Sequence, residues 1–201
     1  MIQSLHSHFI FKRRVAKLVE CIAAELGSVP AAVDILDVGC GDGLIDKYLK
    51  EKLKKTNFTG IDILIRPETH IPVVQFDGKQ IPYPDKSFDA VLFVDILHHT
   101  LQPTELLAEA KRVSKKYIVI KDHLKNNLLD HIILSAMDWV GNASHGVVLP
   151  YNYQTWQQWQ DMFAALDIQT VHWQDHLNLY PFPLSAVFDR KLHFVALLEV
   201  R

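Results

Sequence analysis

Between residues 33 and 120, short apolar runs alternate with segments whose apolar residues recur at helical spacing. Runs of this kind predict buried strands, and their alternation with helices predicts βαβ units in a mainly parallel sheet. The predicted strands are 33–38, 58–63, 73–76, 88–94 and 117–120. The predicted helices of this region and of the segment before it are 15–26, 44–53 and 103–113.

The alternation breaks after residue 122. One helix is predicted over 126–139, and a loop with Gly141, Gly146 and Pro150 follows it. Thr155 has a glutamine three residues later, the spacing of a capping box, which predicts a helix from there to Leu166. Two late strands are predicted at 168–173 and 193–200. We therefore predict one domain over residues 1–201, with a helical insertion at about 123–165.

The composition is that of a globular protein, with 49% hydrophobic and 22% charged residues in 201. A net charge of -2 gives no sign of electrostatic capture of a nucleic-acid backbone. Cys21 and Cys40 lie far apart, so neither a zinc site nor a disulfide framework is expected. The N-terminus lacks the order of a secretory signal, and no apolar run is long enough for a membrane span. We expect a cytoplasmic protein.

The first predicted strand runs into a glycine-rich turn in which Asp37 precedes Gly39, Gly41 and Gly43. Glycine lets the backbone turn sharply and approach a ligand, and the helix that follows offers unpaired N–H groups. The dinucleotide fingerprint requires glycine or alanine where this chain has Leu44. A nicotinamide-dependent oxidoreductase is therefore disfavoured, although it stays an alternative.

Three further segments follow the turn in a fixed order: GIDIL at 60–64, the stretch 75–93, and DILHHT at 95–100. With the turn, they span roughly residues 35–122. This ordered set resembles the class I S-adenosylmethionine-dependent methyltransferases, especially those with small-molecule acceptors. The resemblance implies a Rossmann-like, seven-stranded and mostly parallel sheet, with helices on both faces and an antiparallel last strand. It also implies S-adenosylmethionine as the cofactor.

By this resemblance, the glycine turn would hold the methionine part of the cofactor. The residues concerned are Asp37, Gly39, Cys40, Gly41 and Gly43. The small size of Cys40 explains its place in the turn better than thiol chemistry does.

The resemblance assigns the rest of the cofactor to the ends of the next three strands. Asp62 would accept hydrogen bonds from the ribose hydroxyls, with Ile63 packing on the adenine. Asp77 would accept from the adenine amino group, with Gly78 beside it. Two residues of the fourth strand would line the floor near the sulfonium: Phe93 and Val94. Acids at strand ends also cap helices and form turns, so both acids keep a purely structural alternative.

His98 and His99 follow the fourth strand and are the candidates for a general base. Histidine suits this role near neutral pH. His99 ranks first because it lies about one helical turn from Asp95 and could share its face. Asp95 itself and His123 are further candidates. Adjacent positions on a helix face different ways, so we expect no metal site at the two histidines.

The methyl acceptor is predicted to be a small, partly apolar molecule. The fourth strand is followed by VDIL rather than by the Asn/Asp-Pro-Pro-Tyr/Phe tetrad of adenine and glutamine N-methyltransferases, which disfavours DNA as a partner. Segment 123–150, with its Leu, Ile, Met and Trp residues, is predicted to cover the acceptor. The alternatives are a cofactor-binding sensor or complex subunit without turnover, and a tRNA or protein methyltransferase. The sequence carries no signal for the oligomeric state.

Overall fold

The computed structural model describes residues 2–29, 33–142 and 149–201. Its centre is a seven-stranded sheet with the spatial order β3-β2-β1-β4-β5-β7-β6. In chain order the strands are β1 (Asp34–Val38), β2 (Asn57–Asp62), β3 (Val73–Gln75), β4 (Phe88–Val94), β5 (Ser114–His123), β6 (Ile168–Gln174) and β7 (His193–Val200). The first five pair in parallel, and β7 is antiparallel to both its neighbours. The predicted fold class is confirmed.

Helices connect the strands in the predicted places, but α1 begins well before the predicted residue 15 and α6 was not predicted. They are α1 (Ile2–Ser28), α2 (Leu44–Lys52), α3 (Pro103–Val113), α4 (Leu128–Asn142), α5 (Trp156–Ala165) and the short α6 (Ser185–Phe188). The capping box that Thr155 forms with Gln158 is present at the start of α5. Gly141, predicted to open a loop, lies instead in the last turn of α4. The predicted loop residue Gly146 lies outside the described residues.

Helices cover both faces of the sheet. Consecutive residues of a strand point to opposite faces, so both sets of side chains in the central strands are buried. In β4, Val91 and Phe93 join the core that contains α3 and α5, whereas Leu92 joins the core that contains α1 and α2. Helices on both faces explain why β4 is apolar throughout rather than alternating. The strand order reverses between β1 and β4, and parallel α/β sheets bind ligands beyond the strand ends at such a point.

The segment after β5 returns to the sheet beside the turn that follows β4. The backbone N–H of Asn152 donates to the carbonyl of His98 at 3.3 Å, and its side-chain amide donates to the carbonyl of Thr100 at 2.8 Å. The predicted insertion therefore contacts the segment that carries the candidate histidines. Across the described residues, no helix combines the length and the apolar character that a membrane span requires.

Candidate active site

The turn after β1 holds three glycines in the left-handed region, with φ of 78° at Gly39, 60° at Gly41 and 73° at Gly43. A Cβ on Gly39 would lie 2.4 Å from the Ile96 side chain, and one on Gly43 would lie 2.5 Å from Ile71. A Cβ on Gly41, by contrast, would have no atom of the described residues within 4 Å. The outer glycines are therefore required by packing, whereas Gly41 borders open space.

Asp62 ends β2 beside this turn and is almost fully buried. Its Oδ2 accepts from the Gly41 N–H at 2.8 Å, and its Oδ1 accepts from the Leu64 N–H at 2.9 Å. A carboxylate oxygen can accept two hydrogen bonds, so each oxygen keeps capacity for a hydroxyl donor. The geometry brings Asp62 and the glycine turn together, as the predicted ribose site requires, while the acid also has a structural role.

A pair of buried carboxyl groups lies beside this turn, and the sequence did not predict that they meet. Asp37 on β1 and Asp46 on α2 are both buried. Burial, and then the neighbouring Asp46 carboxylate, raise the pKa of Asp37 well above its ordinary value. Burial also raises the pKa of Asp46, to about 6. Within the described residues, Oδ1 of Asp37 has no hydrogen-bond partner, so this buried acceptor is available to a donor.

The residues predicted to hold the adenine lie next to one another. Ile63 is 59% exposed, and a Cβ on Gly78 would lie 3.2 Å from its Cγ2 atom. Asp77 is exposed, and its Oδ1 accepts from the N–H groups of Lys79 and Gln80, both at 2.8 Å. These two bonds lower the pKa of Asp77. The same two hydrogen bonds stabilise the turn that follows Asp77. This is the purely structural role that the sequence left as an alternative for this acid.

Three other predicted cofactor contacts differ in how much surface they offer. Phe93 is completely buried in the core beneath α3, so its side chain has no surface for a ligand. Val94, on the opposite face, is partly exposed, and the predicted floor therefore rests on Val94. The Cys40 sulfur fills the space beside Gly60, whose added Cβ would lie 2.3 Å from it. This packing agrees with the prediction that Cys40 occupies the turn because it is small. Burial raises the pKa of the thiol, which disfavours the reactive thiolate form.

Beyond the turn, an open cleft of about 460 Å³ extends from the glycines toward the loop after β2. Its lining comprises Gly41, Asp42, Arg66, Pro67 and Glu68. The exposed apolar residues after Asp62 and the open space at Gly41 thus lie along one edge of the sheet, at the carboxyl ends of β1 and β2.

Asp95, the first residue after β4, has a left-handed backbone with φ of 57°. Its carboxylate accepts from the ammonium of Lys121, which is completely buried, and from Arg14 of α1 at 3.0 Å. Burial favours the neutral acid, but the charges of Lys121, His123 and Arg14 outweigh it and hold the pKa of Asp95 well below its ordinary value. Asp95 is therefore an ionised partner of two cations rather than a base.

His98 is buried between two carboxylates. Its Nδ1 lies 2.6 Å from Oδ1 of Asp122, and its Nε2 lies 3.3 Å from Oδ2 of Asp138. Burial alone would lower the pKa of His98, but the two carboxylates reverse this effect and raise it to about 10. The hydroxyl of Tyr153 donates to Asp138 in turn.

His99 has the opposite environment. Burial, and then the charge of His98, lower its pKa to about 4. Residues 97–99 form a 3₁₀ turn rather than an α-helix, and Asp95 pairs with Arg14 and Lys121. The prediction that His99 and Asp95 share one face of a helix is therefore wrong. The expected divergence of the two histidines is also wrong, because their ring centroids lie only 4.1 Å apart.

The sequence indicated Asp95, His98, His99 and His123 of this polar cluster, but it did not indicate Lys121, Asp122 or Asp138. Asp122, Lys121 and His123 form the carboxyl end of β5, three polar residues that are all buried. A polar triplet directly after the apolar run 117–120 was the available signal. Asp138 carries no local signal, since it is one acid of an amphipathic helix and meets His98 only through the packing of α4.

Residues 36–119 match a protein-family model described as a methyltransferase domain. The matched range begins within β1 and contains the glycine turn, Asp62, Asp77 and the turn with both histidines. This part of the chain is therefore similar to a methyltransferase domain. The resemblance that the four ordered segments predict is confirmed.

Two curated relatives align with part of this chain. A fatty-acid O-methyltransferase of Mycolicibacterium smegmatis is 34% identical over 88 residues, 39% of this chain and 32% of the relative. A phthiotriol/phenolphthiotriol dimycocerosates methyltransferase of Mycobacterium ulcerans is 31% identical over 104 residues, 46% of this chain and 38% of the relative. The aligned part therefore covers less than two thirds of either relative.

The fold also matches solved structures. A structure described as an S-adenosylmethionine-dependent methyltransferase from Mesorhizobium loti superposes with a TM-score of 0.65 and 15% sequence identity. The match covers 90% of this chain and 96% of that one. At this identity the likeness concerns the fold, and it extends over the late strands and helices that the family model does not reach.

Proposed function

We propose that the methyltransferase domain binds S-adenosylmethionine at the glycine turn and transfers its methyl group to a small, partly apolar acceptor. The observation that carries this proposal is the open space at Gly41, bordered by an Asp62 carboxylate that has unused acceptor capacity. The family match and the Mesorhizobium loti structure, whose description names the same cofactor, support the choice of ligand.

The residues present fit the parts of this cofactor. The unsatisfied buried oxygen of Asp37 suits an ammonium donor such as that of a methionine group. The carboxylate of Asp62 suits ribose hydroxyls, because ionised acceptors form strong hydrogen bonds. The exposed side chain of Ile63 offers an apolar surface for a purine ring. Each part of the ligand thus has a chemically matched neighbour along one sheet edge.

When bound, S-adenosylmethionine supplies a methyl group on a sulfonium that a nucleophile displaces directly. The chain would position the two reactants. The glycine turn and three strand ends would hold the cofactor, and the segment after β5 would hold the methyl acceptor. Correct alignment of two reactants contributes roughly 7–11 kcal/mol to lowering a barrier. No catalytic triad is needed for such a reaction.

For an acceptor that must lose a proton, His99 is the better base of the two histidines. The lowered pKa of His99 keeps its ring neutral at physiological pH, as a base must be. The raised pKa of His98 keeps that ring protonated between its two carboxylates. This ranking of the two histidines agrees with the sequence-based prediction, but it rests on their pKa shifts and not on helical spacing. The catalytic role of both residues stays a prediction.

The acceptor is proposed to be apolar because of the surface of α4. This helix buries Asp130 and Asp138 and exposes large apolar side chains. The exposed residues are Leu128, Leu129, Ile132, Trp139 and Val140. The names of the two relatives, a fatty-acid and a phthiotriol dimycocerosates methyltransferase, support the same acceptor class. Segment 123–165 is proposed to cover this acceptor.

A binding protein without turnover is the second candidate, and one experiment separates the two. S-adenosylhomocysteine is expected to raise the melting temperature of the chain, whereas NAD is not. Methyl-labelled S-adenosylmethionine is then incubated with medium-chain fatty acids and, separately, with simple phenols. Label in an extractable product supports methyl transfer. Binding without label transfer to either class supports the sensor or subunit, and no binding contradicts the proposal. The cytoplasmic location and the exclusion of DNA stay predictions.

A further inference from the structure

Three side chains converge beside the turn after β4: His98, His99 and Asp138. One ligand atom from each lies within 4.8 Å of the other two. They come from separate elements, since the histidines lie on the 3₁₀ turn and Asp138 lies on α4. Two imidazoles and a carboxylate are a donor set that binds divalent zinc, iron and cobalt.

The spacing of His98 and Asp138 suits two ligands of one ion. Nε2 of His98 lies 3.3 Å from Oδ2 of Asp138. Two ligand atoms about 2.0–2.1 Å from a tetrahedral ion lie roughly 3.4 Å apart. Among the described residues, Nδ1 of His99 is buried with no hydrogen-bond partner. A buried nitrogen in this state requires an explanation, and a bound cation provides one.

Asp122 holds His98 in the orientation that a metal ligand needs. Its Oδ1 lies 2.6 Å from Nδ1 of His98, and its Oδ2 accepts from the Leu97 N–H at 2.9 Å. When an ion binds, the imidazolium of His98 releases its Nε2 proton to solvent and keeps its Nδ1 proton, so the Nε2 lone pair binds the ion. This carboxylate–histidine pair is the usual outer arrangement around metal-binding histidines. Tyr153 donates to Asp138 and orients the other carboxylate in the same way.

An alternative grouping of His98, Asp122 and His123 is less suitable. The 2.6 Å between Nδ1 of His98 and Oδ1 of Asp122 is a hydrogen-bond distance, shorter than two ligands of one ion tolerate. Oδ1 of Asp122 also accepts from the His123 N–H at 2.6 Å. Asp122 is therefore an orienting group rather than a ligand.

The charges around the site favour a divalent cation. Asp122 and Asp138 are both buried, and buried charges require compensation. Both carboxylates face the His98 ring. A divalent ion bound to that ring would therefore lie beside two negative charges, which favour its binding.

We propose that His98, His99 and Asp138 bind a divalent transition-metal ion, with Asp122 and Tyr153 as orienting partners. Three protein ligands leave a fourth position for water or for an oxygen of the acceptor. The proposed role of His99 as a base applies to the ion-free protein, because an imidazole bound to an ion through one nitrogen carries its proton on the other and cannot take up a second. Use of that position by an acceptor rests on the proposed methyl transfer, whereas the binding of the ion does not.

Cobalt binding by the tag-free chain tests this proposal without cofactor or acceptor. The protein is stripped with a chelator and titrated with Co²⁺, and visible absorption and calorimetry report the stoichiometry. One equivalent is expected for the wild type. The variants H99Q and D138N are each expected to bind more than about 100-fold more weakly, because loss of outer partners alone costs about 10–100-fold. D122N is expected to bind cobalt about 10–100-fold more weakly than the wild type, still with one equivalent.

The matched control is H172Q, since His172 also pairs with a carboxylate but lies on β6, where its partner is Glu25. This variant is expected to bind one equivalent with wild-type affinity. Thermal unfolding of each metal-free variant checks that it is folded, and the two ligand variants alter separate elements. A wild type that binds no stoichiometric cobalt overturns the proposal. So does wild-type affinity in either folded ligand variant, or an equal loss in H172Q.

Discussion

The carboxylate of Asp62 accepts a hydrogen bond from the backbone N–H of Gly41 at 2.8 Å, which ties the end of β2 to the turn after β1. The contact joins residues 21 positions apart at the edge of the sheet where the strand order reverses. It also fixes the acid beside the one glycine of the turn that borders open space. The proposed cofactor site depends on this relationship.

Replacing Gly41 with valine is expected to abolish cofactor binding. The new side chain would occupy the open space beside the turn, and φ of 60° is unfavourable for a β-branched residue by about 1–2 kcal/mol. Calorimetry with S-adenosylhomocysteine measures the affinity, and thermal unfolding checks the fold. Gly141→Val is the matched control, because its added side chain also meets open space but lies on α4. Equal affinity in both variants would show that the turn does not hold the ligand.

Replacing His99 with glutamine is expected to lower turnover at least about 100-fold for an acceptor that must lose a proton, with cofactor affinity nearly unchanged. Glutamine keeps the size and polarity of the side chain but cannot take up a proton. The kcat of label transfer and the Kd of S-adenosylhomocysteine are measured together. If single variants of His98, His99 and His123 all retain full turnover, proximity alone accounts for the catalysis.

Replacing Lys121 with methionine is expected to lower the free energy of unfolding by about 3 kcal/mol or more. The ammonium is completely buried against Asp95, which would then keep only the partly exposed Arg14. Urea unfolding measures the loss. The double variant with Asp95→Asn should be less destabilised than the sum of the single variants, since the unpaired charge is absent. Simple additivity of the two single effects would contradict the pairing.

His193 is expected to make the protein less stable as the pH falls below 6.5. Burial, and then the charges of Lys121 and His123, lower its pKa well below the ordinary value of 6.5. The unfolded chain then binds a proton that the folded chain does not, so this contribution is present above 6.5 and lost below it. Unfolding free energies of the wild type and of H193Q are compared across this range. The difference between the two curves isolates His193, because Asp46 and His99 titrate in both proteins. Parallel curves would contradict the expectation.

The elements that could be predicted are those with local signals. The bounds of β4 and α3 agree with prediction, because a continuous apolar run and Pro103 at a helix start are features of the sequence itself. The end of β5 was predicted three residues too early, since Lys121, Asp122 and His123 look like a loop. They continue the strand because they pair with β7, which lies about 70 residues later in the chain.

The candidate site divides in the same way. The glycine turn and Asp62 follow from a contiguous motif and its spacing, so their neighbourhood could be predicted. The environment of His98 could not, because Asp122 and Asp138 reach it from β5 and α4 only after the chain has folded. The same packing gives two adjacent histidines opposite pKa shifts, which no local rule anticipates.

The most direct test of the cofactor site is calorimetry of S-adenosylhomocysteine with the wild type, D62A and D89A. Asp89 is the matched control: it also accepts from two backbone N–H groups, those of Val33 and Asp34, but at the opposite edge of the sheet. Hydrogen bonds to a charged group contribute about 1.5–3 kcal/mol each, so D62A should bind at least about 10-fold more weakly. D89A should bind as the wild type does. Undiminished affinity in D62A, or no binding by the wild type, would contradict the account.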